Sequence, residues 1–156
     1  MLGRLVVLER SPPLSRYHTP AIVGRALDNP LTLFIARFCV ILPFIEAGIV
    51  KILDWNRGEA EMLRAGLHPA WVFNVASLVT ELAGSGLVVL NRWTWLGAGA
   101  LGIFTVMTTF LAHRFWEFTG QERNLQLNSF LEHATISAAF ILVVVVGIRR
   151  PKWPDA

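Results

Sequence analysis

The chain is short of two things that most chains of its length carry, cysteine and charge. A single cysteine, Cys39, excludes a disulfide framework and any cysteine-based metal site, and its place inside a long apolar run marks it as a packing residue. Charged residues make up 16% of the chain, against about a quarter in soluble domains. The shortage is uneven, because the charges gather between long apolar runs. With 54% hydrophobic residues and a mean hydropathy of +0.51, this is the pattern of a polytopic membrane protein with one compact domain. No cleavable secretory leader is expected either. The apolar patch at residues 5–8 is shorter than the roughly 7–15 residues of a leader core, so insertion is expected to rely on the spans themselves. No flavin motif or iron–sulfur ligand set is present. The net charge of +3 and pI near 9.8 would suit nucleic acid. The basic residues sit at segment ends, however, where they orient a membrane protein, and no nucleic-acid partner is expected.

What is there is a set of four apolar segments, at about residues 31–53, 71–90, 93–112 and 130–148. They predict an all-α integral membrane protein built as a four-transmembrane-helix bundle. Residues 1–30, with Pro12, Pro13, Pro20 and Pro30 and a basic bias from Arg4, Arg10, Arg16 and Arg25, read as a cytoplasmic or interfacial arm on an anionic lipid surface. Residues 149–156 form a basic tail. Residues 54–70 carry a short amphipathic helical pattern over 60–65, flanked by Trp55 and Trp71 as interfacial aromatics. Asn91-Arg92 is a tight turn, and residues 113–129 are a polar connection. The termini and the 91–92 turn share the side rich in arginine and lysine. The positive-inside rule therefore places both termini in the cytoplasm of a multi-pass inner-membrane protein.

Ionisable residues inside these spans define the candidate site. A charge at membrane depth costs roughly 2.5–3.5 kcal/mol on insertion scales, so it is expected to face a bundle interior. Glu46 and Lys51 lie in the first span, with Pro43 one turn before Glu46 to kink the helix and Gly48 to admit a neighbour. Glu81 lies in the middle of the second span. His113 closes the third, and Glu132 and His133 open the fourth. The topology gathers all of these in the outer half, as a ladder descending from the surface to the midplane. Lys51 is the cation for Glu46 or Glu81; on its own helix it sits about 140° from Glu46, and across helices it can reach Glu81. Simpler roles stand beside each: snorkelling for Lys51 and Arg37, capping for the histidines, and a first-turn dipole role for Glu132.

The order and spacing of several short motifs resemble the DoxX family of small four-span membrane proteins over about residues 33–147. They are Ala36-Arg37, Ala47-Gly48-Ile49-x-Lys51-Ile52, Gly66-Leu67-x-Pro69, Glu81-Leu82-x-Gly84, His113-x-Phe115-Trp116 and Phe130-Leu131. Two departures stand out: Glu132-His133 replaces a frequent Lys-Asn, and Glu46 is not a usual family residue. The family includes the small subunit of an archaeal thiosulfate:quinone oxidoreductase and proteins linked to oxidative-stress defence, so the resemblance implies a membrane role related to quinone or redox chemistry.

Three functions follow as expectations. The first is a quinone-linked redox or accessory subunit. In it Lys51 and His113 donate to a quinone carbonyl, Glu46, Glu81 and Glu132 relay protons, and Phe115, Trp116 and Phe130 pack on the ring, with electrons from a partner. The second is a non-catalytic scaffold subunit of a larger membrane complex or homo-oligomer, or a small protein binding an amphipathic ligand or lipid. The third is b-type haem held by His113 and His133. The pattern names no catalytic residue, no metal site and no intrinsic cofactor; quinone is the one cofactor it suggests, and membrane lipids and other membrane subunits are the expected partners.

Overall fold

The structure, a computed structural model, describes residues 20–149; the arm over residues 1–19 and the tail over 150–156 lie outside the described residues. The chain divides between Leu33 and Phe34 into two compact units. In the first, helix α1 (Ala21–Asp28) has no buried residue. Asn29 then accepts the backbone N–H of Leu31 at 2.9 Å, and Pro30 opens the next helix, where its missing N–H costs nothing.

The second unit is a helical bundle, with no strand among the described residues. Helix α2 (Pro30–Leu53), which belongs to this unit from Phe34 on, leads into α3 (Trp55–Arg64), then α4 (Ala70–Val89), α5 (Thr94–Ala112), a single 3₁₀ turn at Phe115–Glu117, and α6 (Gly120–Arg149). Four of these are long and apolar enough to cross a bilayer, as the hydropathy pattern requires. Helix α3 begins five residues earlier than the amphipathic pattern predicts. The reason is a cap: the Asp54 carboxylate accepts the N–H of Arg57 at 3.0 Å. Its end matches expectation, since Gly66 takes the left-handed conformation with φ of 76°. The Asn91-Arg92 turn is also present. Asn91 adopts φ of 54°, and its side-chain oxygen accepts the Thr94 hydroxyl at 3.2 Å.

The largest departure is α6. Its first ten residues were expected to be connection, yet the helix starts at Gly120 and runs for 30 residues, about 45 Å. Residues 121–129 are mostly polar, but Gln121, Glu122, Arg123, Leu125, Gln126 and Leu127 among them are good helix formers, and Glu122 lies in the first turn. A helix of that length overshoots a hydrocarbon core of about 30 Å. His133 is thus well inside α6 rather than in its opening turn.

Buried apolar side chains concentrate in the half of the bundle nearer the α4–α5 turn. Ile41, Phe44, Val88, Ala98, Leu101 and Phe140 form that core. Phe44 of α2 and Phe140 of α6 meet at 5.5 Å between ring centres. Most large apolar side chains elsewhere point outward, as lipid contact demands, Ile103 and Ile141 at 66% exposure among them. In hydrocarbon no hydrophobic force draws helices together, so close backbone approach must do so. Helices α4 and α5 meet at two glycines: a Cβ on Gly97 would lie 2.7 Å from the Gly84 carbonyl oxygen and 2.8 Å from Leu87 Cβ. The same atom on Gly99 would meet nothing. Gly97→Ala should therefore lower stability by about 1–3 kcal/mol, read as a fall in the detergent-solubilised melting temperature, while Gly99→Ala should leave it unchanged.

Candidate functional site

The buried polar residues cluster mainly in the other half, toward α3. Helix α4 presents Asn74, Ser77, Glu81 and Ser85 at spacings of three and four, so they form one buried column. Helix α2 buries Ile41, Phe44, Gly48 and Lys51 at the same spacing. The two faces meet at Gly48, where a Cβ would collide with Leu82, and one turn further along at Lys51. There the Lys51 ammonium donates to both Glu81 oxygens, at 2.9 Å and 3.2 Å. Both side chains are almost wholly buried, 7% and 4% exposed. The pairing of Lys51 with Glu81 is the cross-helix alternative of the two that the sequence left open.

Helix α3 covers this pair. Glu61 lies 4.0 Å from the same ammonium and 3.6 Å from the Arg57 guanidinium, so two carboxylates and two cations alternate from the surface inward. One turn before Glu61, the buried Gly58 sits directly over the Asn74 amide, where a side chain would clash. Asn74 is fully buried, and neither its amide nitrogen nor its side-chain oxygen has a hydrogen-bond partner among the described residues; the Ser85 hydroxyl is in the same position. Sequence reasoning passed over Asn74. Its signal was there: an amide five residues into an apolar span is as anomalous as a carboxylate.

Glu46 does not join the site. At 100° per residue it lies roughly opposite the face defined by Ile41, Phe44, Gly48 and Lys51, and its side chain is exposed. The expectation that it forms a rung of the polar ladder is thereby corrected; its helical phase turns it outward. Glu132 is likewise exposed. It lines a shallow groove on α6 with Asn128, Leu131, Thr135 and Ile136, turned about 100° from its neighbour His133.

A second polar centre joins α5 to α6. The His113 and His133 rings meet edge to face with centres 4.6 Å apart, both half-buried. His133 Nδ1 is 3.1 Å from the Thr109 hydroxyl, and His113 Nδ1 is 3.0 Å from the Gln126 side-chain oxygen. Gln126 in turn donates to Glu122 at 3.1 Å. Beside the histidines, Phe110, Phe115, Trp116 and Phe130 make a chain of edge-to-face contacts between 5.2 and 6.4 Å. Trp116 is 52% and Phe110 56% exposed, so the cluster opens outward. Haem does not fit between the histidines. Two imidazoles on opposite sides of an iron, each bonded at ~2.0 Å, would hold their ring centres about 6 Å apart. No hydrogen bond, ion pair or ring contact joins this centre to Lys51–Glu81 among the described residues. The expected ladder is two centres.

Apart from Thr94, which donates to Asn91, the remaining buried hydroxyls are satisfied within their own helices, as a bilayer requires. Thr105 donates to the Leu101 carbonyl at 2.7 Å, Thr109 to Thr105 at 2.6 Å, and Ser77 to Asn74 at 3.0 Å. The Lys51–Glu81 pair has no such internal substitute. Lys51→Met leaves the buried Glu81 charge unpaired and Glu81→Leu leaves Lys51 only the 4.0 Å contact with Glu61; each should cost about 3–5 kcal/mol, whereas the double change should cost less than either. Thermal unfolding of the four proteins in detergent measures this; single costs that simply add would show that the two groups are not coupled.

Comparison with known proteins bears on the whole bundle. The DoxX family profile matches residues 32–114, which takes in α2 to α5 and His113 but stops short of α6. The inner membrane protein YphA of Escherichia coli (strain K12) is 27% identical over 119 residues, 76% of this chain and 85% of that protein. The Surfeit locus protein 4 homolog of Drosophila melanogaster is 29% identical over 96 residues, 60% of this chain and 36% of that protein. No solved structure matches. The four membrane-crossing helices and the location of YphA agree with the multi-pass inner-membrane placement read from the sequence. With the profile covering more than half its length and the four-span architecture in place, the protein belongs to the DoxX family.

Proposed function

We propose that the protein is a quinone-linked accessory subunit, binding the headgroup of a membrane-soluble quinone at the α5–α6 histidine centre. The observation that carries this reading is the half-buried His113–His133 pair beside a partly exposed aromatic cluster. A quinone headgroup is a flat ring with polar edges and a long apolar tail. It needs aromatic surface, a polar group within hydrogen-bond reach, and access from lipid. The cluster of Phe110, Phe115, Trp116 and Phe130 supplies the first and last of these, and the imidazoles supply the second. With both termini cytoplasmic, this centre lies near the outer face. Electrons enter and leave through a partner subunit. Lys51, engaged by Glu81, serves this reading as a structural cation rather than as the donor to the quinone carbonyl. An azido-quinone photolabel should cross-link to peptides spanning residues 110–133, and an excess of unlabelled quinone should suppress it. Labelling spread evenly over all four spans would count against the site.

A second reading, a scaffold subunit, is favoured by Glu46. A carboxylate about 10 Å inside the end of α2 and turned away from its own bundle calls for a covering neighbour. Another membrane helix with a donor or a cation at that depth would supply the cover. Glu46→Leu should therefore shift the protein's assembly in mild detergent, seen as a change in native mass, and leave the folded bundle intact by circular dichroism. An unchanged native mass would sink this second reading.

A further inference from the structure

The hydrogen bonds around the histidine pair fix which ring nitrogen carries the proton. Thr109 has one hydroxyl proton, and the Thr105 carbonyl, 2.6 Å away with no proton of its own, must receive it. The Thr109 oxygen is then left to accept, so the hydrogen bond to His133 is donated by Nδ1–H. The same logic holds at His113. The Gln126 amide nitrogen faces the Glu122 carboxylate and donates to it, so the Gln126 oxygen accepts from His113 Nδ1–H. In its neutral form each imidazole therefore carries its proton on Nδ1, which leaves the Nε2 lone pair with no partner among the described residues.

We propose that this centre recognises a ligand hydroxyl, and hence binds the reduced, hydroquinone form of the headgroup in preference to the oxidised quinone. The proposal rests on the reading of the α5–α6 centre as a quinone-class site. A quinone carbonyl needs a donor. Within this centre both Nδ1–H groups, the Thr109 hydroxyl and one of the two Gln126 amide N–H bonds are already committed. What remains is the second Gln126 amide N–H, set against two Nε2 acceptors, and at the exposed rim, where water competes, the Trp116 indole N–H and the Arg123 guanidinium 5.8 Å over the Phe115 ring. A hydroquinone hydroxyl, by contrast, finds an acceptor in the Nε2 of either half-buried histidine. Imidazoles oriented through Nδ1–H also resemble metal ligands. Two nitrogens do not complete a site, however, and no group of three or more His, Cys, Asp or Glu among the described residues could hold an ion. A phenolic hydroxyl needs only one acceptor, and the aromatic cluster beside it suits the ring.

The test is anaerobic equilibrium binding of decyl-ubiquinol and decyl-ubiquinone to the purified full chain in nanodiscs. The wild-type protein should bind the quinol about fivefold to tenfold more tightly, the ratio that one net hydrogen bond supplies. In the double variant His113→Phe, His133→Phe that ratio should fall to near one. Equal affinity for the two forms, or tighter quinone binding, in the wild type overturns the preference while leaving the quinone-class reading standing. Binding of neither form overturns both. Because the double variant could fail to fold, a second measurement uses the unmodified protein. Selective ¹⁵N labelling of histidine should show Nδ1 protonated and Nε2 unprotonated at both His113 and His133. Protonation at Nε2 in either ring overturns the proposal.

Discussion

One ion pair organises the polar half of the bundle. Inside a bilayer, apolar side chains gain nothing by leaving lipid for each other, so helix association depends on close packing and on polar groups that have no other partner. Lys51 and Glu81 are such groups. Neither can reach water, and each would be costly alone. Their contact at 2.9 Å sets the rotation and depth of α2 against α4, and the small Gly48 makes room for the Leu82 side chain one turn away from it. Helix α3 follows from the same constraint. It brings Glu61 to the ammonium and lays Gly58 on Asn74, closing the site from above.

The division of the core into an apolar half and a polar half follows from what each helix can satisfy. Threonine and serine hydroxyls fold back on their own helix carbonyls and cost little in hydrocarbon. Ile41, Val88 and Leu101 can then pack as a dry plug near the α4–α5 turn. Lys51 and His113, which cannot fold back, lie at the end where α3 and the extended start of α6 provide partners in Glu61 and Gln126. The result is two centres. One is sealed and charge-balanced, around Lys51. The other is half-open and aromatic, around the histidines, and that difference in access is why a ligand is assigned to the second.

The long first turns of α6 illustrate how local composition misleads. Residues 121–129 carry too much polarity for a membrane span, and hydropathy alone treats them as connection. Helix propensity and the Glu122 first turn outweigh that, and the helix continues beyond the apolar stretch. This extension has a chemical consequence, for it brings Gln126 and Glu122 alongside His113. A loop would have left that imidazole without its orienting partner.

Hydropathy and residue type were enough to determine the class of protein, the four spans, the tight turn at Asn91 and the residues most expensive to bury. These are properties of single segments, and the insertion cost of a charge depends on its depth along the chain. Partner choice is a different quantity. Glu46 and Glu81 look alike in sequence, yet 100° of rotation per residue turns one outward and the other onto Lys51. Likewise Glu132 and His133 are neighbours in the chain and face different surroundings. Only the packing of four helices, each with one rotational setting, decides which polar group meets which. That setting comes from contacts such as Gly97 on Gly84 and Gly48 on Leu82, which lie far apart in sequence.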